Sequence, residues 1–268
     1  MPNRFYEPGA GRAARVRELF DTIASRYDLI NDLQSLGLHR RWKRRVVALA
    51  AVGPGQRALD LCCGTGDLAR ELARCGAAVV GVDFSAAMLQ VAAVRRLPQA
   101  VGPRTAPAIH SAQPARQEET SLTLTSHLAP PTPRFIRADA LHLPFSDCEF
   151  DAVTIGYGLR NLADWQAGLA EMVRVAKPGA RLVVLDFGKP TNRLWRALYF
   201  AYLRGVVPLF GRVFCGDAQA YAYILESLRH FPPPHGVAEH LRALGLEDVR
   251  VVNLLGGCMA IQAARRAG

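Results

Sequence analysis

The sequence predicts an α/β fold, a mostly parallel seven-stranded sheet with helices on both faces, and three observations carry that prediction. The run Ala58-Leu59-Asp60-Leu61-Cys62-Cys63-Gly64-Thr65-Gly66-Asp67, followed by Val79-Val80-Gly81-Val82-Asp83, reads as strand, glycine turn, helix and a second strand ending on a carboxylate. Further short aliphatic runs alternate with helical spacing, the pattern of a parallel sheet covered on both sides. Near the end, two β-rich runs flank Gly256-Gly257, a hairpin signal that makes at least one closing strand antiparallel.

Taken in order, the elements begin with helices over Val16 to Arg26 and Arg40 to Ala51, where apolar residues recur at helical intervals, and Pro54-Gly55 turns the chain into the first strand. Residues 1–57 are therefore expected to form a helical cap ahead of the main domain, 58–268. Strands follow at Ala58 to Cys62, Val79 to Val82, Phe135 to Arg137, Ala152 to Ile155 and Arg181 to Leu185, with helices near Leu68, Ala87 and Leu169 between them. The interval 98–133 is rich in Pro, Ala, Ser, Thr and Gln and has almost no aliphatic run, so a disordered surface insertion is expected there. A helical segment from Leu194 to Leu228 lies within a second insertion, 191–232. The tail reads as a helix from His235 to Leu244, then strands Val249 to Val252 and Cys258 to Ala263.

The net charge is +10, and it is uneven: up to Arg57 the chain carries 11 Lys/Arg against 5 Asp/Glu. Such a segment suits an anionic partner, either nucleic acid or the headgroups of a membrane surface, or is simply an arginine-rich solvated face. Met1 to Arg17 has no apolar core after its charges, which leads to the expectation of a cytoplasmic protein. Trp195 to Phe214 is apolar, but Arg196, Arg204, Arg212 and Pro208 interrupt it, which favours an amphipathic helix and turn over a membrane span. The 6 cysteines (Cys62, Cys63, Cys75, Cys148, Cys215 and Cys258) show no C-x-x-C pair and no histidine at ligand spacing, so no metal site is expected.

The glycine turn carries the chemistry. Gly64 and Gly66 permit a tight turn that a ligand can approach, and Asp83 at the next strand end can accept hydrogen bonds from ribose hydroxyls. Gly64-Thr65-Gly66-Asp67-Leu68-Ala69 also fits the dinucleotide pattern of a dehydrogenase. Asp60 and Asp67 argue against that reading, because carboxylates beside the turn repel a pyrophosphate and suit a cationic cofactor such as S-adenosylmethionine.

The chain resembles the ubiquinone/menaquinone biosynthesis C-methyltransferase family. The specific segments are Arg26-Tyr27-Asp28 with Asn31-Asp32, His39-Arg40-Arg41-Trp42-Lys43, and Gly158-Leu159-Arg160-Asn161. Asp139-Ala140-Leu141 agrees as well; Gly64-Thr65-Gly66-Asp67 and Lys177-Pro178-Gly179 also agree but occur more widely. The resemblance implies a class I S-adenosylmethionine-dependent methyltransferase (Rossmann-like) fold, S-adenosyl-L-methionine as cofactor, and C-methylation of an isoprenoid quinol ring, demethylmenaquinol to menaquinol. The benzoquinol step of ubiquinone synthesis and a phylloquinone-type naphthoquinol remain alternatives. It further implies that Asp60, Gly64, Thr65, Gly66, Asp83, Asp139 and Ala140 bind the cofactor. Gly156 departs from the serine that many relatives have, so one hydroxyl contact is missing or replaced.

Methylating a ring carbon calls for a phenolate, whose formation pushes electron density onto the neighbouring carbon. Arg160 suits phenolate stabilisation and orientation of a proton-accepting water, with Asn161 holding the same water. Tyr27 fits a lid or hydroxyl relay and His39 a base near neutral pH. The plainer roles are a pairing of Arg160 with Asp164, ordinary packing of Tyr27, and a capping or ion-paired His39. Isoprenoid tails reside in bilayers, so the expected partner is a quinol at the membrane surface, with the enzyme peripheral at the inner face of the cytoplasmic membrane; Leu194 to Phe214 suits a substrate cover or interfacial helix. A homodimer is a further expected association. A nucleic-acid methyltransferase is the rival class, but no Pro-Pro-aromatic motif follows the fourth strand and no RNA-binding module is apparent, so no nucleic acid is expected. A non-catalytic binding protein of this fold is the third reading.

Overall fold

A computed structural model describes residues 11–95, 131–215 and 218–268. Strands β1 (Arg57–Leu61), β2 (Ala78–Asp83), β3 (Arg134–Arg137), β4 (Phe150–Gly156) and β5 (Ala176–Phe187) pair in parallel, and β7 (Met259–Arg266) is antiparallel to both β5 and β6 (Leu246–Leu254). Among the described residues the sheet has 7 strands in the order β3-β2-β1-β4-β5-β7-β6. This is the class I methyltransferase arrangement that the sequence predicts. The hairpin turn at Gly256 and Gly257 uses positive φ at both residues, and it reverses β6 into β7 as the Gly-Gly signal requires.

Helices cover the sheet by apolar stripe. On one face α6 (Trp165–Val175) and α9 (Pro234–Ala243) bury Leu169, Met172, Val237 and Leu241 against Leu59, Val153 and Leu182. On the other, α3 (Leu38–Ala50) and α4 (Asp67–Arg74) bury Trp42, Val46, Leu68 and Leu72 against Val79, Val183 and Ile261. Helix ends are capped locally: Ser85 Oγ accepts the Met88 N–H at 3.1 Å to start α5 (Ala86–Val94), and Asp164 accepts from Gln166 and Ala167 to start α6.

A third core lies over the carboxyl ends of the strands. It joins α1 (Arg12–Ile23) and α2 (Tyr27–Ser35) to α7 (Arg193–Cys215) and α8 (Ala218–His230) through Val16, Leu19, Ile30, Leu203, Tyr223 and Leu228. Thus α1 and α2 sit over the strand ends, whereas α3 packs on the sheet itself. Two details differ from the sequence reading. The first helix ends earlier, at Ile23, and a 3₁₀ turn at Ala24–Arg26 redirects the chain into a separate α2. Strand β5 begins at Ala176, five residues before its aliphatic stretch, because a register shift against β4 lets Lys177-Pro178-Gly179 join it as a bulge. The interval expected to be disordered, 98–133, lies outside the described residues except for 131–133, which precede β3 without regular structure.

Candidate active site

The order of the parallel strands reverses between β1 and β4, and open α/β sheets bind ligands outside the carboxyl ends of the strands at such a point. A cavity of about 580 Å³ lies there. Its floor is Cys62, Gly64, Asp83, Gly156 and Tyr157 from the strand ends; one side is Arg137 to Leu141, and α1 with Tyr27 closes the top. Its volume falls in the range that holds a nucleoside-sized ligand.

The turn after β1 explains its own sequence. Cys62, Gly64 and Gly66 all have positive φ, near 50, 54 and 78°. A Cβ on Gly64 would meet only the Tyr27 ring, at 3.9 Å, so the open side of this glycine is the cavity itself. Gly66 has a different reason: a Cβ there would stand 2.6 Å from the Phe135 ring. Asp83 is buried, and its two carboxylate oxygens accept the Gly64 N–H at 2.8 Å and the Ser85 N–H at 2.9 Å. Burial raises its pKa to about 6 despite those bonds, so near neutral pH it is an ionised acceptor on the cavity wall.

Asp139 also lines the cavity, largely exposed, with one oxygen accepting the Leu141 N–H at 2.9 Å; Ala140 beside it is buried. Tyr27 and Asn161 face the same space. Burial raises the Tyr27 phenol to about 12, which makes it a donor rather than a base at physiological pH. The Asn161 amide donates to the Tyr157 carbonyl at 3.0 Å, while its Oδ1 is buried without a partner. Tyr157, also on the wall, has an equally unpartnered buried hydroxyl. Unsatisfied buried polar atoms are costly, and two of them beside one cavity are the groups that a polar ligand would satisfy.

Other expected site residues stand elsewhere. Asp60 is buried beneath the turn, where its Oδ1 accepts the Thr154 hydroxyl at 2.8 Å and desolvation raises its pKa to about 7. The Thr65 hydroxyl donates to Asp28 at 2.8 Å instead of facing the cavity. Asp67 pairs with Lys43 and Arg95, so neither Asp60 nor Asp67 lies along the wall as a counter-charge. His39 is buried against Asp32, with Nε2 and Oδ1 2.7 Å apart, on a separate charged cleft with Lys43 and Asp67. Burial lowers its pKa, partly offset by Asp32. Arg160 is behind the wall: its Nη1 donates to Asp186 at 2.7 Å and to the Tyr157 carbonyl at 2.6 Å, and its guanidinium lies over the Phe187 ring, 4.5 Å from the centroid. Its partner is Asp186 rather than Asp164, whose carboxylate is occupied by the N-terminus of α6. Burial opposes the Arg160 charge, and Asp186 more than restores it.

The wall fits S-adenosylmethionine. Asp83 supplies an acceptor for ribose hydroxyls, the Gly64 backbone allows close approach, and the unpartnered Asn161 Oδ1 leaves one acceptor for a polar group in the cavity. Among the described residues no three His, Cys, Asp or Glu side chains are grouped to hold a metal. Burial raises the thiols of Cys62 and Cys63 well above their usual range, which leaves them unreactive.

The comparisons agree with this geometry. The ubiE/COQ5 methyltransferase family profile matches residues 10–105 and 126–266, and a general methyltransferase-domain profile matches 59–184. The chain belongs to the ubiE/COQ5 methyltransferase family. It is 40% identical over 249 residues to the demethylmenaquinone methyltransferase of Mycobacterium sp. (strain KMS), covering 93% of both chains. It is 37% identical over 257 residues to the ubiquinone/menaquinone biosynthesis C-methyltransferase UbiE of Stutzerimonas stutzeri (strain A1501), covering 95% of this chain and 90% of that one. The magnesium protoporphyrin IX methyltransferase of Synechocystis PCC 6803 shares the fold with TM-score 0.58 at 19% identity, covering 95% of this chain and 100% of that one.

Sequence reasoning missed three parts of this methyltransferase's site. Ala13, Arg17 and Phe20 of α1 line the cavity, Tyr157 contributes an unpartnered hydroxyl, and Asp186 anchors Arg160. Asp186 was legible in principle, because a lone acid directly after the aliphatic run Leu182 to Leu185 is a poor core residue.

Proposed function

We propose that this enzyme transfers the methyl group of S-adenosylmethionine to a ring carbon of an isoprenoid quinol, with demethylmenaquinol as the substrate and menaquinol as the product. The observation that carries this is one cavity at the switch point walled by Asp83, Asp139, Tyr27 and Asn161, in a chain of this family. The chemical alternative is the benzoquinol step of ubiquinone synthesis; the Stutzerimonas relative is named for ubiquinone and menaquinone biosynthesis alike.

In this reading Asp83 accepts from both ribose hydroxyls, Gly64 gives the backbone room, and Asp139 with Ala140 flanks the adenine. When bound, S-adenosylmethionine supplies an electrophilic methyl. The quinol must lose one hydroxyl proton so that its ring carbon becomes nucleophilic, and after transfer that carbon loses its own proton to restore the aromatic ring. Tyr27, held protonated by burial, donates to the developing phenolate oxygen. Asn161 Oδ1 holds the water that accepts the proton. Arg160 acts from behind the wall: its positive charge, fixed by Asp186, favours the phenolate, and its bond to the Tyr157 carbonyl sets the floor together with Asn161. His39 holds the start of α3 against α2 and takes no proton from the substrate.

Helices α1 and α2 serve as cap and the inward faces of α7 and α8 as substrate cover, since these four helices share one core above the strand ends, whereas α3 belongs to the layer on the sheet. No helix among the described residues is long and apolar enough to cross a membrane. We place the enzyme in the cytoplasm, working at the inner surface of the cytoplasmic membrane, where the substrate's tail resides. A transfer assay with labelled S-adenosylmethionine tests the reading, with reduced demethylmenaquinol and the demethylated benzoquinol offered in separate micelles. Labelling of the naphthoquinol, much reduced in Tyr27→Phe, supports it; labelling of neither quinol refutes it.

A further inference from the structure

Helix α7 presents an apolar face on which none of the described residues packs. Leu194, Leu198, Leu209 and Val213 are spaced by 4, 11 and 4 residues, close to whole helical turns, and are 72, 55, 56 and 64% exposed. Ala201 and Gly205 continue the stripe between them. The stripe widens at both flanks. Trp195, 42% exposed, donates its indole N–H to the Leu255 carbonyl, which brings the exposed Leu255 side chain alongside. Tyr202 donates to the Gln34 carbonyl at the end of α2, where Leu36 is 88% exposed. Surface leucines scattered singly need no explanation, but a continuous face along a 23-residue helix, roughly 35 Å at 1.5 Å per residue, does.

Charge identifies the occupant. The helix has four arginines, Arg193, Arg196, Arg204 and Arg212, and no acidic residue. Arg193, Arg204 and Arg212 are exposed around the stripe. A second copy docked symmetrically through this face would set arginines against arginines, which disfavours self-association. An anionic surface with an apolar interior satisfies both halves of the pattern.

We propose that the α7 face, with Trp195, Leu255 and Leu36 at its margins, lies in the headgroup boundary of a bilayer containing anionic lipids. It orients the cavity so that a quinol ring enters from the bilayer while its tail remains there. The opposite side of α7 suits this role, since Tyr199, Leu203 and Val207 pack into the core that roofs the site. This orientation rests on the quinol reading, whereas the docking itself does not.

Vesicle co-sedimentation of the full chain tests it, with phosphatidylcholine vesicles containing or lacking phosphatidylglycerol. Binding should be more than about tenfold tighter with phosphatidylglycerol. Leu198→Glu/Leu209→Glu should weaken it by about tenfold or more per site, while S-adenosylhomocysteine binding and methylation of a water-soluble short-tailed quinol stay unchanged. Leu209→Ser/Val213→Ser is a milder pair for use if the double glutamate misfolds. Arg193→Ser/Arg204→Ser/Arg212→Ser should remove most of the lipid preference, about fivefold per arginine. Brominated lipid should quench fluorescence in the wild type and lose that effect in Trp195→Phe. Undiminished binding by the leucine variants, equal binding to neutral vesicles, absence of quenching, or a dimer that these variants disrupt would each overturn the docking. A wild type that binds vesicles normally but methylates no quinol would instead refute the quinol reading and leave the docking intact.

Discussion

Replacing Asp186 with Asn separates the two jobs assigned to the buried ion pair. The Arg160 and Asp186 side chains are 6% and 3% exposed and 2.7 Å apart, and Asp186 also accepts the N–H groups of Arg160 and Phe187. Asn keeps one acceptor for those backbone groups but leaves the guanidinium buried without a counter-charge. Breaking such a pair from one side costs about 3–5 kcal/mol, and at roughly 2–4 °C per kcal/mol for a domain of this size the melting temperature should fall by roughly 6–20 °C. Removing both charges, in Arg160→Met/Asp186→Leu, should recover part of that stability, since well-packed apolar replacements of buried pairs are often neutral, although the Arg160 and Phe187 N–H groups lose their acceptor. Activity should not return, because the positive charge behind the phenolate is gone and Arg160 no longer fixes the Tyr157 carbonyl. Urea unfolding of wild type, Arg160→Met, Asp186→Leu and the double variant, with Asp186→Asn measured alongside and kcat for each variant that folds, reads both quantities. A double variant as active as wild type, or an Asp186→Asn protein that melts within about 1 °C of it, would refute the reasoning.

Three other outcomes follow from the site. Asp83→Asn should weaken S-adenosylhomocysteine binding by about 10- to 100-fold, the worth of charge-assisted bonds to the ribose. In the wild type the affinity should fall as pH drops through about 6, where the Asp83 carboxylate takes up a proton, and calorimetric titration across that range would expose a flat profile as contrary evidence. Asp60, with its pKa raised from 3.8 to about 7, holds a proton more tightly folded than unfolded. Stability should therefore be highest below about pH 4 as far as this group is concerned and decline toward pH 7, by on the order of 4 kcal/mol. Asp60→Asn should abolish that contribution; an unchanged slope of unfolding free energy between pH 4 and 7 would contradict it. His39→Ala should cost about 0.5–1.5 kcal/mol of stability through the lost bond to Asp32, which keeps Arg40 as a partner, with kcat at saturating substrate nearly unchanged, and a kcat loss beyond about tenfold would return His39 to the chemistry.

The sheet was legible because burial leaves a periodic trace: Ala58 to Leu61, Val79 to Val82 and Ala152 to Ile155 are aliphatic runs that both faces of a parallel sheet demand. The hairpin was legible from two glycines. Helix α2 was not, since Ala24–Arg26 continues the helical spacing of α1 while turning the backbone in a tighter 3₁₀ geometry. In the site, Asp83 and Gly64 could be placed because each stands at a strand end whose geometry fixes it. Asp60 and Thr65 occupy equally conspicuous positions in the same motif, yet their side chains turn inward to Thr154 and Asp28. Motif letters give backbone position, and only the tertiary partners decide where a side chain points. Arg160 shows the same limit, for its position after β4 was readable and its commitment to Asp186, 26 residues later, was not.

The most direct test of carbon methylation is the identity of the product bond. With S-adenosylmethionine labelled with carbon-13 at the methyl group and reduced demethylmenaquinol as acceptor, the account predicts a single labelled methyl bonded to a ring carbon, read as an aryl-methyl carbon signal with coupling to the ring. A labelled methyl on oxygen, giving a quinol ether, would contradict it.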